Sequence, residues 1–257
     1  MVKRPNRAVN RLARGANAMW DRSENEKNGY ICIFPPTSVA RSARLAGGRR
    51  IGTYKFLKDM SMNENVLSSS DAVLRRARAV LESSGIREAW QAAGAEVNVV
   101  GSMRMGLMAV HRDIDLHVYS PQLDVESSFA AVARIARRAE AGLICCRNLI
   151  DTPERCIEWH MAWTEPDGEE WKIDMIHIES GSRYDGFFER VADRIAEVMT
   201  PEQRETILRL KYAASDDEPI AGIEYYRAVI EGGVRDMEGL RRWRAEHPAD
   251  GVTEWMP

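Results

Sequence analysis

Val97-Asn-Val-Val-Gly-Ser-Met-Arg-Met-Gly-Leu-Met-Ala-Val-His-Arg-Asp-Ile-Asp-Leu-His-Val-Tyr119 is the stretch whose reading decides the fold of this chain. An apolar strand, Val97–Val100, enters a turn at Gly101-Ser102. A second strand, Ile114–Tyr119, follows directly on Asp113 and carries Asp115. Strand side chains alternate faces, so Asp113 and Asp115 point the same way and can grip one cation. A third acid, Asp174, stands alone in the strand-like run Trp171–Ile178, with Glu158 and Asp151 as the alternatives for its place.

Three strand-borne carboxylates and a Gly-Ser turn are what metal-assisted nucleotidyl transfer needs. Mg²⁺ (or Mn²⁺) is a hard cation held by a few carboxylates together with substrate phosphates. Two such ions, roughly 3.5–4 Å apart, stabilise the attacking and leaving oxygens of an in-line displacement. Gly101 carries no Cβ, so the backbone and the Ser102 hydroxyl can approach a triphosphate. Arg104 follows at a spacing where its planar donor fork suits phosphate.

These residues resemble the DNA polymerase β-like nucleotidyltransferase superfamily. Gly-Ser-Met-Arg-Met-Gly and Arg-Asp-Ile-Asp-Leu are similar to the Gly-Ser-x-Ala-Arg-Gly and Ser-Asp-Ile-Asp-Leu of its small bacterial members. Arg104 stands one residue earlier than the family's Arg, and Arg112 replaces the common Ser. The resemblance is specific over residues 95–120 and extends to about 180. It implies an α+β fold, with a mixed sheet flanked by helices and a helical C-terminal region. It implies Asp113, Asp115 and Asp174 as catalytic metal ligands, and Gly101, Ser102 and Arg104 as the nucleotide cradle. The expected reaction moves an NMP group from a nucleoside triphosphate to an acceptor hydroxyl and releases pyrophosphate. A small-molecule acceptor is favoured. RNA, tRNA or protein modification, and a non-catalytic nucleotide- or RNA-binding module, are the alternatives.

Around Asp174 the sequence predicts a hairpin. Cys156–Trp163 and Trp171–Ile178 flank Thr-Glu-Pro-Asp-Gly-Glu-Glu, which is turn chemistry. Symmetry about Asp167 sets His160 opposite Asp174 and Ala162 opposite Lys172, so His160 and Lys172 share a sheet face. A slip of one residue would reverse the face. His117, at period two from Asp115, shares that face as a site residue or as a packed one.

The 257 residues suffice for one large core, and no run of about 18 apolar residues suggests a membrane span. The N-terminal stretch is polar and basic, and the four cysteines show neither C-x-x-C spacing nor a disulfide framework, which suits a cytoplasmic protein. Charge is uneven. Residues 1–60 carry 13 Lys+Arg against 4 Asp+Glu, a balance of +9, while the other 197 residues sum to −12. Such a segment is a solvated arm or a phosphate- or RNA-contacting one.

Three regions follow: a basic segment (1–60) with a short strand at Tyr30–Phe34, a catalytic core (61–180) and a helical region (181–257). Helices are predicted over Ser68–Ala93, with Ser70 or Asp71 near the cap and a break at Gly85, and over Val125–Ala141. Leu143–Leu149 reads as an edge strand. Further helices are predicted over Asp185–Met199, from Thr200-Pro201 to Ala214, over Ile223–Glu231 and over Asp236–His247. Lys211, Tyr212, Tyr225 and Tyr226 on these helices are candidates for substrate contact, against the simpler reading that Lys and Tyr snorkel there.

Overall fold

The computed structural model describes residues 31–33, 66–215, 218, 220–248 and 254–257. The remainder of the basic segment lies outside the described residues. The strands are β1 (Ile31–Ile33), β2 (Glu96–Val99), β3 (Asp113–Ser120), β4 (Ala141–Asn148), β5 (Cys156–Thr164) and β6 (Glu170–Glu179). The helices are α1 (Val66–Ser84), α2 (Ile86–Gln91), α3 (Gly101–Met105), α4 (Val125–Ile135), α5 (Phe187–Val198), α6 (Pro201–Ala213), α7 (Gly222–Ile230) and α8 (Met237–Glu246). The sheet order is β1-β4-β5-β6-β3-β2, with β3 and β6 parallel and every other pair antiparallel. This is the α+β mixed sheet flanked by helices that the sequence implied.

Period-two alternation gives the sheet two different faces. Ile114, Leu116 and Val118 of β3, Ile173 and Met175 of β6, and Ile157, Trp159 and Met161 of β5 belong to one core cluster. Residues of α1, α2 and α4 complete that cluster, among them Ala77, Trp90 and Val132. Trp90 and Trp159 are fully buried there, and their indole N–H groups find partners in Met175 Sδ (3.3 Å) and Ser128 Oγ (2.9 Å). Each such ring takes roughly 150–250 Å² out of water. At ~25 cal/mol per Å² that is on the order of 4–6 kcal/mol before ordering costs. The alternate positions on the other face hold Asp113, Asp115 and His117, then Lys172 and Asp174, then His160 and Glu158, then Arg147.

A second core joins the C-terminal helices to the segment after Gly101. Met105, Leu107 and Ala109 pack with Ile195, Ile207, Leu208, Tyr225, Tyr226 and Leu240. The helical region therefore holds the loop that carries the Gly-Ser pair. Thr200 closes the start of α6 with a full capping box, accepting from Gln203 N at 3.2 Å while Gln203 Oε1 accepts from Thr200 N at 2.9 Å.

Several expectations need adjustment. α1 begins at Val66, so Ser70 and Asp71 lie inside the helix. The Ser70 hydroxyl donates to Met108 O at 2.6 Å instead of capping. α4 ends at Ile135, because Ala141 already begins β4. β4 is not an edge strand; three residues of β1 pair outside it. Cys145 is disulfide-bonded, although the cysteine spacing shows no disulfide framework. The backbone register places Cys32 opposite it, a proximity that spacing along the chain does not reveal. No described helix is long and apolar enough to cross a membrane.

Candidate active site

Gly101 is read from sequence as a turn, and it begins the five-residue helix α3. Its φ of +61° is left-handed, a conformation costly for any residue with a Cβ. A Cβ at this position would lie 2.2 Å from Asp115 Oδ2. The missing side chain is thus the space that the Asp115 carboxylate fills. Backbone pairing holds the two together, since Val100 N donates to Asp115 O at 3.0 Å.

The three acids converge through strand register. Asp115 stands directly opposite Asp174 in the parallel β3–β6 pair, and Asp113 stands opposite Lys172. The hairpin register is the predicted one, with His160 opposite Asp174 and Ala162 opposite Lys172. Asp151 and Glu158, the alternatives for the third acid, are not at this junction. Asp151 is exposed in the turn after β4, and Glu158 is 3.8 Å from Arg147 and 3.9 Å from His160 Nε2.

The acids fall into two electrostatic classes. Asp174 is saturated. Its Oδ1 is 2.7 Å from His160 Nδ1 and its Oδ2 is 2.7 Å from Lys172 Nζ. Burial opposes ionisation, but Lys172 and His160 outweigh it and hold the carboxyl well below the usual range. Burial would likewise lower the His160 pKa, yet Asp174 lifts it to about 9. The carboxylates of Asp113 and Asp115 accept no hydrogen bond among the described residues. Burial, reinforced by Asp174 and Asp113, pushes Asp115 up to about 7. Burial raises Asp113 as well, against the pull of Lys172.

Two crowded carboxylates without donors are a hard-oxygen site that calls for a cation, and a Mg²⁺ or Mn²⁺ ion fits that donor set. The same test fails for a cage of all three acids. Among the described residues no group of three or more His, Cys, Asp or Glu side chains is arranged to hold a metal ion.

Ser102 and Lys211 face the same corner. Lys211 Nζ donates to Leu107 O at 2.8 Å, to Ser102 Oγ at 3.2 Å and to Tyr226 OH at 3.3 Å. The ammonium also lies 5.5 Å from the Tyr226 ring centroid and draws on both Asp113 and Asp115. Arg104 is committed elsewhere. Its guanidinium holds Asp193 with two bonds of 2.6 and 2.7 Å and donates to Val99 O at 3.1 Å. One-residue displacement in a helix turns a side chain by about 100°, which accounts for the family's Arg position and this one facing different ways. Arg104 lines a surface groove with Arg78 and Arg87 that contains none of the three acids. Arg112, the other departure from the family pattern, pairs with Glu169.

His117 shares the face but not the site. It is buried against Phe188 (5.1 Å between centroids) and meets Tyr119 OH at 3.2 Å, and burial lowers its pKa to about 4. Tyr225 belongs to the C-terminal core and Tyr212 packs against it. A signal for the two cations was present in the sequence. The chain has only six lysines among its 36 basic residues (Lys3, Lys27, Lys55, Lys58, Lys172 and Lys211), and both beyond residue 60 reach this cluster.

No protein-family model matches the chain, and no curated protein matches it. Solved structures do. A cytoplasmic RNA terminal U-transferase aligns at 18% identity and TM-score 0.40, over 60% of this chain and 44% of that one. The poly(U) polymerase Cid1, an RNA terminal uridylyl transferase, aligns at 16% and 0.46, over 68% of this chain and 51% of Cid1. The GLD-2/RNP-8 complex aligns at 11% and 0.45, over 72% and 69%. The chain thus spans about half the length of the U-transferase and of Cid1.

Proposed function

We propose that this chain is a metal-dependent nucleotidyltransferase. The observation that carries the reading is the register of β3 on β6, which sets Asp115 against Asp174 with Asp113 on the same face. Gly101, having no Cβ, leaves the space that the Asp115 carboxylate occupies. Asp113 and Asp115 would hold Mg²⁺ or Mn²⁺, which would supply charge neutralisation and Lewis-acid polarisation at the phosphates. The phosphates of a nucleoside triphosphate rest against the Gly101-Ser102 backbone, with Lys211 as their cation in place of Arg104. Ser102 Oγ and Lys211 Nζ already face one another, so both can turn onto a phosphate oxygen without rebuilding the backbone. An acceptor hydroxyl attacks the α-phosphate in line. The new P–O bond forms as the α–β bridge breaks, and pyrophosphate leaves. Positioning and charge neutralisation carry most of the rate.

Asp174 positions rather than deprotonates. A carboxylate held ionised by two cations is a weak proton acceptor, so deprotonating the attacking hydroxyl, the other role open to this acid, does not fall to it.

For the acceptor, the small molecule favoured from sequence finds no feature here to support it. An RNA end is compatible with the neighbours' stated activities and with the +9 charge of residues 1–60. The test follows the α-phosphate. Each of the four α-³²P-labelled triphosphates is incubated with protein, Mn²⁺ and either short RNAs or a small-metabolite extract. Label on RNA supports the RNA acceptor, and label confined to a small product restores the first expectation. Absence of transfer to either pool counts against the activity.

A further inference from the structure

Lys172 is paired with the third carboxylate of the cluster. Its ammonium is 2.7 Å from Asp174 Oδ2, and in register it stands opposite Asp113. Asp174 Oδ1 is paired with His160, so each oxygen already has a partner. One side of the cluster therefore already holds a cation, and among the described residues no three acids form a metal cage. That cation is a lysine in a chain dominated by arginine. An ammonium on a flexible four-carbon stem can move between acceptors, whereas a bidentate guanidinium is fixed by its fork.

We propose that Lys172 is a built-in counter-cation that holds the place of a divalent ion on Asp174 and is exchanged for it when nucleotide binds. The inference rests on the metal-dependent reading above. Buried carboxylates left without a counter-charge are costly, so Lys172 keeps the nucleotide-free cluster compact. An ammonium and a divalent ion on the same carboxylate oxygen repel one another, so the arrival of one favours the departure of the other. The arriving triphosphate supplies charged oxygens on which Lys172 can re-pair. Full metal loading and nucleotide binding are therefore coupled.

The test reads metal binding, not turnover. Free Mn²⁺ is followed by electron paramagnetic resonance as it is titrated into the wild type, K172M and D113A/D115A, without nucleotide. K172M is expected to bind Mn²⁺ about tenfold more tightly than the wild type, and D113A/D115A to lose binding. On the wild type, the Lys172 ¹⁵Nζ signal, assigned by its absence from K172M or K172R, is expected to shift when Mg²⁺ and a non-hydrolysable triphosphate are added together. If Mn²⁺ binds D113A/D115A as it binds the wild type, the metal-dependent reading fails and the inference with it. Binding that needs both acids but is no tighter in K172M overturns the inference alone. Should K172M not fold, the wild-type lysine signal decides: movement supports the exchange, and no movement overturns it.

Discussion

Gly101 and Asp115 share one volume of space, and that makes the glycine irreplaceable on two counts. G101A adds a Cβ 2.2 Å from Asp115 Oδ2 on a backbone at φ +61°. Displacing that carboxylate by about an ångström is expected to lower transfer about a hundredfold with the fold retained, read by turnover alongside circular dichroism. The two cations near the turn separate as cleanly. K211A removes the ammonium bonded to Ser102 and is expected to raise KM for the triphosphate about tenfold or more. R104A removes a half-exposed pair with Asp193 and is expected to leave KM unchanged and stability within about 1 kcal/mol. The opposite pattern would return the phosphate role to Arg104. The placing of Gly101 beside Asp115, with Asp113 on the same face, was legible because it depends on near-neighbour spacing. Lys211 lies over a hundred residues from Ser102 on a helix of its own, so only the tertiary fold discloses its place.

At the scale of single elements, the β5–β6 hairpin was readable to the residue. Its turn signal fixes a centre at Asp167, and antiparallel pairing then leaves one register that keeps Trp159, Met161, Ile173 and Met175 together on the buried face. The starts of helices were less legible: α1 begins upstream of its expected caps, at Val66. The strands also store a pH response. Burial lowers His177 to about 4, beside Trp90 and 2.8 Å from Ser120 Oγ, and lowers His117 likewise. A histidine kept neutral by the fold binds its proton more readily when unfolded, so its contribution to stability is complete above pH 6.5. It is lost as the pH falls from 6.5 toward 4, on the order of 3 kcal/mol per group. Urea unfolding at pH 7, 5.5 and 4.5 should show that loss, with a shallower slope in H177Q. An equal slope in H177Q would mean that the acid sensitivity arises elsewhere.

Across the whole molecule, the apolar sheet face packs on α1, α2 and α4, and the C-terminal helices clamp the segment after Gly101 through Met105, Leu107 and Ala109. The polar face is left to the acids, and Lys172, His160, Glu158 and Arg147 continue it across β6, β5 and β4. Alternation along each strand announced such a face, while the disulfide at Cys145 and the commitment of Arg104 to Asp193 did not show, since both depend on how distant segments meet. We propose that these acids carry out metal-dependent nucleotidyl transfer. Its most direct test is pyrophosphate release from each ribonucleoside triphosphate, with and without Mn²⁺, in the presence of RNA and a metabolite extract. The wild type is compared with D113A/D115A. Release that requires the metal and falls to background in the double variant is the predicted result. Release that survives loss of both acids, or metal-dependent release from no triphosphate in either acceptor pool, would contradict it.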